Sequence, residues 1–294
     1  MQALHGTGVA IITPFKADES VDHDALIRLL HHLMDGGVDY LVALGTTGET
    51  PVLSEQEQID VLKTVYETVG NRLPIVVGVG GNATANVIEK MNRLPLDPAV
   101  AILSASPYYN KPSQEGIFQH YKMLASHSPK PILLYNVPAR TGRNMEVTTT
   151  LRLANDVSNI IGIKEAGGNM IQCMEILKHR PKGFIVVSGD DDLVLPQIAC
   201  GMDGVISVAA NAFPKQFSSM IRRCLSQDFR DAKKINDELM GAYALMFEEN
   251  NPAGIKAFLA ELGIIHNQLR LPCTSVNADL GNRIRAFVAQ ASLS

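Results

Sequence analysis

The chain has few cysteines, four in 294 residues, and no C-x-x-C pair among them. Cys173, Cys200, Cys224 and Cys273 fit no zinc-ligand spacing and read as scattered reduced thiols of a cytosolic protein. It also lacks a charge excess. The 26 Lys and Arg residues against 30 Asp and Glu leave −4, no electrostatic reason to expect nucleic acid or a membrane surface. No run approaches the eighteen or so apolar residues of a membrane helix. The start, "MQALHGTGVAIITPF", has no basic segment and no long apolar segment of a secretory leader. These absences predict a cytoplasmic location. Eight histidines include no H-x-x-x-H, and His31 and His32, adjacent on a predicted helix, cannot face one site together. The acids of "SGDDD" (188–192) suit a solvated loop and helix N-terminus better than a Mg2+ site. No metal is therefore expected. The absence of G-x-S-x-G excludes a nucleophile elbow.

What the chain does have is 46% hydrophobic residues, enough for a sizeable core, arranged in eight short apolar runs. They are 8–15, 40–48, 74–81, 99–107, 131–138, 160–167, 184–191 and 204–210. Each is nearly continuous in Val, Ile, Leu and Ala, the pattern of parallel strands covered on both faces. Helical stretches separate them. "DHDALIRLLHHLMDGG" sets Leu26, Leu29, Leu30 and Leu33 on one stripe and ends in glycine. "SEQEQIDVLKTVYETVG" opens with a Ser54–Glu57 capping box. Eight strands alternating with helices predict a (β/α)8 TIM barrel over residues 1–224. The all-helical remainder predicts a C-terminal helical appendage over 225–294. An open doubly wound sheet would carry its glycine fingerprint on the first βα turn, where "ITPFKADES" has none. "GVGGNA" (78–83) fits the loose dinucleotide pattern but lies on the third run, so close packing at a strand end is the better reading.

Barrel active sites sit at the C-terminal strand ends. Here those ends carry Thr13, Thr46, Thr47, Ser106, Tyr108, Tyr109, Tyr135, Asn136, Arg140, Lys164, Glu165, Ser188 and Asp190. Lys164, in "IIGIKEAGG", closes an apolar run, where desolvation disfavours an ammonium. Alone it reads as a rim lysine paired with Glu165. Among hydroxyls at a barrel mouth it reads as an amine for Schiff-base chemistry.

Five motifs in order, "GTTGET" (45–50), "PYYNKP" (107–112), "YNVPARTG" (135–142), "GIKEAGG" (162–168) and "SGDDDLVLPQIACGMDGVISVAAN" (188–211), resemble the dihydrodipicolinate synthase family. That family is grouped with N-acetylneuraminate lyase among the pyruvate-dependent class I aldolases. The resemblance runs essentially end to end. It implies condensation of pyruvate with L-aspartate 4-semialdehyde in lysine and diaminopimelate biosynthesis, with no cofactor. It further implies a homotetramer built as a dimer of dimers. By position Lys164 is the Schiff-base lysine, beside Tyr135, with Thr46 relaying protons to a Tyr109 from the neighbouring subunit. Thr47 would hold the pyruvate carboxylate and Arg140 that of the aldehyde, with Gly189 and Ile206 lining the pocket through backbone atoms.

The residue types suit these roles. A protonated imine on lysine acidifies the pyruvate methyl group, hydroxyls both give and take protons, and a guanidinium fork binds two carboxylate oxygens. Relatives act on other aldehydes, so a sugar-acid lyase or aldolase and a non-catalytic keto-acid-binding barrel are the alternatives. Thr50, Pro51, Glu55, Gln58, Asn82, Asn86 and Tyr108 match the region where lysine inhibits many members. Asn82 and Tyr108 fit the sensitive pattern. Glu55 and Gln58 stand where some sensitive members have histidines, and Asn86 replaces an acid that would meet the lysine ammonium. Weak or absent lysine feedback is expected.

Overall fold

Each apolar run from the second onward contains a strand, the first run overlaps one that begins two residues earlier, and the strands pair in chain order. The computed structural model describes residues 4–290; residues 1–3 and 291–294, the outer ends of the two predicted units, lie outside the described residues. The strands are β1 Gly6–Ala10, β2 Tyr40–Ala43, β3 Ile75–Gly78, β4 Ala101–Ala105, β5 Ile132–Asn136, β6 Ile160–Glu165, β7 Ile185–Ser188 and β8 Gly204–Ser207. All pairings are parallel, and β8 closes onto β1 through Gly6–Gly204 and Gly8–Ile206. The fold is a (β/α)8 barrel with additional C-terminal helices.

Local signals explain the helices. In α1 (His23–Asp35) Asp22 accepts from the Ala25 amide, and Ala25, Leu26, Leu29, Leu30 and Leu33 are buried as one stripe. In α2 (Glu55–Val69) the capping box forms both ways: Ser54 Oγ accepts from Glu57 N, and Glu57 accepts from Ser54 N. The outer ring continues through α3 (Thr84–Arg93), α4 (Gln114–His127), the short α5 (Pro138–Thr141), α6 (Val147–Asp156), α7 (Met170–His179), α8 (Val194–Ala199) and α9 (Pro214–Leu225). Beyond it lie α10 (Phe229–Phe247), α11 (Ala253–Glu261) and α12 (Ala278–Gln290). The last starts where Asn277 Oδ1 accepts from the Leu280 amide.

Every strand is shorter than its apolar run, and the first two show why. After Ala10, Ile11 N still donates to Val42 O, but Ile12 N bonds to the Asn211 side chain instead of a strand. After Ala43 the chain turns sharply, because Leu44 takes φ +55. Gly78 makes room for that turn: a Cβ there would lie 2.2 Å from Leu44 O. This supports the packing reading of "GVGGNA".

The apolar core falls into two layers. A large one lies between the strands and the helices. A smaller one fills the barrel and includes Ala10, Val42, Leu103, Leu133, Val187 and Ile206. The strand period of two divides residues between them.

The C-terminal helices grip the loop after β2. Thr46–Gly48 and Thr50–Val52 form two 3-10 turns, separated by Glu49 in the left-handed region at φ 53. The Glu49 carboxylate is buried and ion-paired with Lys256 of α11, whose side chain is fully buried. Lys256 Nζ also donates to Gln268 O at 2.9 Å and lies 4.1 Å from the centre of the Phe15 ring. Burial pulls the Lys256 ammonium down to about 8, while Glu49 holds it up. Removing one partner of such a pair leaves an uncompensated buried charge. Lys256→Met is therefore expected to lower unfolding free energy by about 3–5 kcal/mol, and adding Glu49→Gln should recover part of it. Urea unfolding checks this; a single-variant loss below about 1 kcal/mol would show the pair to be structurally idle.

Candidate active site

Strand register assembles the site. Ala105, Tyr135, Lys164 and Val187 pair across β4 to β7 at one level. Tyr135 and Lys164 point inward at that level and are 8% and 5% exposed. The Lys164 ammonium lies 4.5 Å from the centre of the Tyr135 ring. The next residues on the same strands, Asn136 and Glu165, face outward. Glu165 accepts from Asn136 Nδ2, Gln172 Nε2 and the Gly167 amide. The rim pairing of Lys164 with Glu165 is thus excluded by alternation: the two side chains occupy opposite faces of β6. Burial pushes the Glu165 carboxyl up to about 7, against the lowering effect of those three donors.

Lys164 and Tyr135 open into a cavity of about 240 Å3, also lined by Thr46, Thr47, Arg140 and Gly189. Gly189 is required where it stands. A Cβ there would sit 2.8 Å from Lys164 Cε and 2.5 Å from the Ala166 Cβ. The Thr46–Thr47 turn is tied at both ends. Thr13 Oγ1 donates to Gly48 O at 2.8 Å, and Thr50 Oγ1 donates to Gly45 O at 3.0 Å. Arg140 projects from α5, and its Nη2 donates to Asn250 Oδ1 at 3.1 Å. Ile206 is fully buried on the inner face of β8 and is not in the cavity wall.

Tyr109 does not join this group. It is 84% exposed on the loop after β4, at φ +75. Within one chain the predicted relay therefore has two members in the cavity, Tyr135 and Thr46. A second cavity, about 410 Å3, shares the Gly45–Thr46 wall and Tyr135. Thr50, Pro51, Gln58 and Tyr108 line it, with Lys90. Glu55, Asn82 and Asn86 are not in its wall, and Glu55 is paired with Arg93 at 3.1 Å. Lys90 is half-buried, and desolvation lowers its ammonium below the usual lysine range.

The acidic run departs from the solvated loop expected of it. Only Asp192 is exposed. Asp191 is buried and accepts from the amides of Val208 and Ala209, anchoring the turn after β8. Asp190 lines the cavity that holds Lys164 and accepts from the Gly168 amide; burial, then Asp192, push its carboxyl up to about 6. Among the described residues no group of three or more His, Cys, Asp or Glu side chains is placed to hold a metal ion. No helix among them is long and apolar enough to cross a membrane. Sequence reasoning missed Asn250 and Asn251, which also line the cavity. Their one signal was an asparagine pair before a proline between two helices.

Comparison with known proteins agrees with this geometry. The model of the dihydrodipicolinate synthetase family matches residues 3–291. The 4-hydroxy-tetrahydrodipicolinate synthase of Flavobacterium psychrophilum is 49% identical over 292 residues, covering 99% of this chain and 100% of that protein. Among solved structures, a monomeric dihydrodipicolinate synthase variant matches with TM-score 0.96 at 34% identity, over 99% of this chain and 98% of its own. A lysine-bound enzyme of the same name from Cyanidioschyzon merolae matches with TM-score 0.95 at 33% identity, over 99% of each chain. With an inward lysine and tyrosine at the mouth of a closed barrel and relatives matched along its length, the chain belongs to the dihydrodipicolinate synthetase family.

Proposed function

We propose that this chain is a 4-hydroxy-tetrahydrodipicolinate synthase that condenses pyruvate with L-aspartate 4-semialdehyde through an imine on Lys164. The observation that carries this reading is the buried Lys164 amine against the Tyr135 ring inside the cavity. The amine attacks pyruvate C2 and water leaves, forming an imine. Once protonated, the imine draws electrons from the methyl group, which loses a proton to give an enamine. The enamine carbon bonds to the aldehyde carbon, whose oxygen takes a proton. The aldehyde's own amine then attacks the imine carbon, closes the ring and expels Lys164. Tyr135 and Thr46 move the protons, since each hydroxyl both donates and accepts. Thr47 holds the pyruvate carboxylate, with the backbone of Gly189 beside it; Ile206, outside the cavity wall, has no part in this scheme. Arg140 holds the second carboxylate through its planar fork. Asp190 faces the same cavity but is left without a role in this scheme.

Borohydride reduction in the presence of pyruvate should place a pyruvyl adduct on Lys164, located by peptide mass spectrometry. Tyr135→Phe should lose about 10²–10⁴-fold in kcat. A folded protein without the adduct sinks the imine, and a fully active Tyr135→Phe sinks the relay.

The relay supports an oligomer. Tyr109, exposed on its loop, completes the chain of hydroxyls from a neighbouring copy in a homotetramer arranged as a dimer of dimers. A cytoplasmic location, where these small charged substrates are dissolved, belongs to the same reading. The division into a barrel, 1–224, and an appendage, 225–294, belongs to the same reading and is supported by the end of α9 at Leu225. Sedimentation and activity measured together on dilution test the assembly: activity should vanish as monomers form, and full activity in a monomer overturns it.

The larger cavity supports weak lysine feedback. Its wall carries the Lys90 ammonium and no carboxylate, so a second ammonium meets repulsion without a charge-assisted partner. Submillimolar L-lysine should leave the rate unchanged; strong inhibition in that range refutes the reading.

A further inference from the structure

Two adjacent residues outside the barrel touch both side chains assigned to carboxylate binding. Asn250 and Asn251 lie in the short segment between α10 and α11. Asn251 Nδ2 donates to Thr47 Oγ1 at 2.9 Å. Arg140 Nη2 donates to Asn250 Oδ1 at 3.1 Å and to the Asn251 carbonyl at 3.4 Å. We propose that the Asn250–Asn251 pair is a positioning element that presets Thr47 for the pyruvate carboxylate and Arg140 for that of the aldehyde. This rests on the carboxylate roles assigned to Thr47 and Arg140.

The chemistry of the Asn251 amide gives the contact a direction. An NH2 group only donates, so the Thr47 oxygen must accept from it. The hydroxyl proton of Thr47 is then free for an anion in the cavity. Asn251 is the one hydrogen-bond partner of Thr47 Oγ1 among the described residues. The opposite amide orientation would take that proton away. The chosen orientation has a consequence: Asn251 Oδ1 is buried without a partner, in a residue only 7% exposed.

Asn250 works by a different device. It stands at φ +74, in the left-handed region that asparagine tolerates better than most residues. There its Oδ1 accepts both the Asn251 amide, at 2.9 Å, and Arg140. Tethering Nη2 fixes the guanidinium plane and leaves its other N–H groups for a carboxylate. One dipeptide thus sets two anchors, each for a different substrate.

Two variants of the full chain separate this from a merely structural role. Asn251→Asp keeps the shape but only accepts, so Thr47 turns its proton toward the aspartate, which also adds a charge facing the carboxylate. Asn250→Gly keeps the backbone conformation and deletes the side-chain tether, leaving Arg140 only the longer bond to the Asn251 carbonyl. Asn251→Asp should raise the half-saturating pyruvate concentration for borohydride trapping on Lys164 by about tenfold or more. Trapping at saturation should remain complete. Asn250→Gly should raise KM for the aldehyde about tenfold and leave the pyruvate half-saturation unchanged. Unchanged half-saturation in Asn251→Asp, or an equal loss for both substrates in either variant, overturns the inference alone. A wild-type chain that traps no pyruvate sinks the imine reading, and this inference with it.

Discussion

Alternation along strands closed into a barrel is the constraint on which the rest of this molecule depends. A strand turns successive side chains to opposite faces. In a closed parallel sheet one face is the barrel interior and the other is the floor of the helical ring. That rule places Tyr135 and Lys164 side by side in the cavity while sending Asn136 and Glu165 outward into their own hydrogen-bond cluster. A shift of β6 by one residue would exchange Lys164 for Glu165 and end the chemistry. Gly189 belongs to the same constraint, since the lysine side chain passes through the space a Cβ would fill.

A second layer of control comes from charge buried outside the cavity wall. Glu49 sits in a left-handed conformation two residues after Thr47, held by Lys256. Arg270 adds to the grip: its amide donates to Glu49, and its guanidinium pairs with Glu57 and covers the Phe15 ring at 4.5 Å. The Arg270 hydrogen bond holds the Glu57 carboxyl down at about 2. Helix α11 and the segment after it therefore act as a brace on the turn that carries Thr46 and Thr47. A loop with four polar residues, Thr46, Thr47, Glu49 and Thr50, and an unfavourable backbone geometry would otherwise sample many shapes.

Much of this was legible in the residues. Strands covered on both faces need no alternation, so eight near-continuous apolar runs announce eight buried strands. The Ser54–Glu57 capping box and the leucine stripe of α1 are local and form as read. Lys164 was legible because an ammonium at the end of an apolar run demands a reason. Asp191 was misread because consecutive acids ordinarily seek water; the amides of Val208 and Ala209, some seventeen residues on, supply what water would.

The one-dimensional pattern carries whatever depends on periods of two and 3.6 residues: the order of strands and helices, their faces, and the motifs at the strand ends. It does not carry contacts made across long stretches of chain. Asn251 meets Thr47 across 204 residues, and Lys256 meets Glu49 between α11 and the loop after β2. No local spacing records such meetings, because they exist only once the barrel has closed and the C-terminal helices have packed over its mouth. The lysine, the tyrosine and the threonines were there to be read; their mutual geometry comes from barrel closure and from the buried partners that hold it.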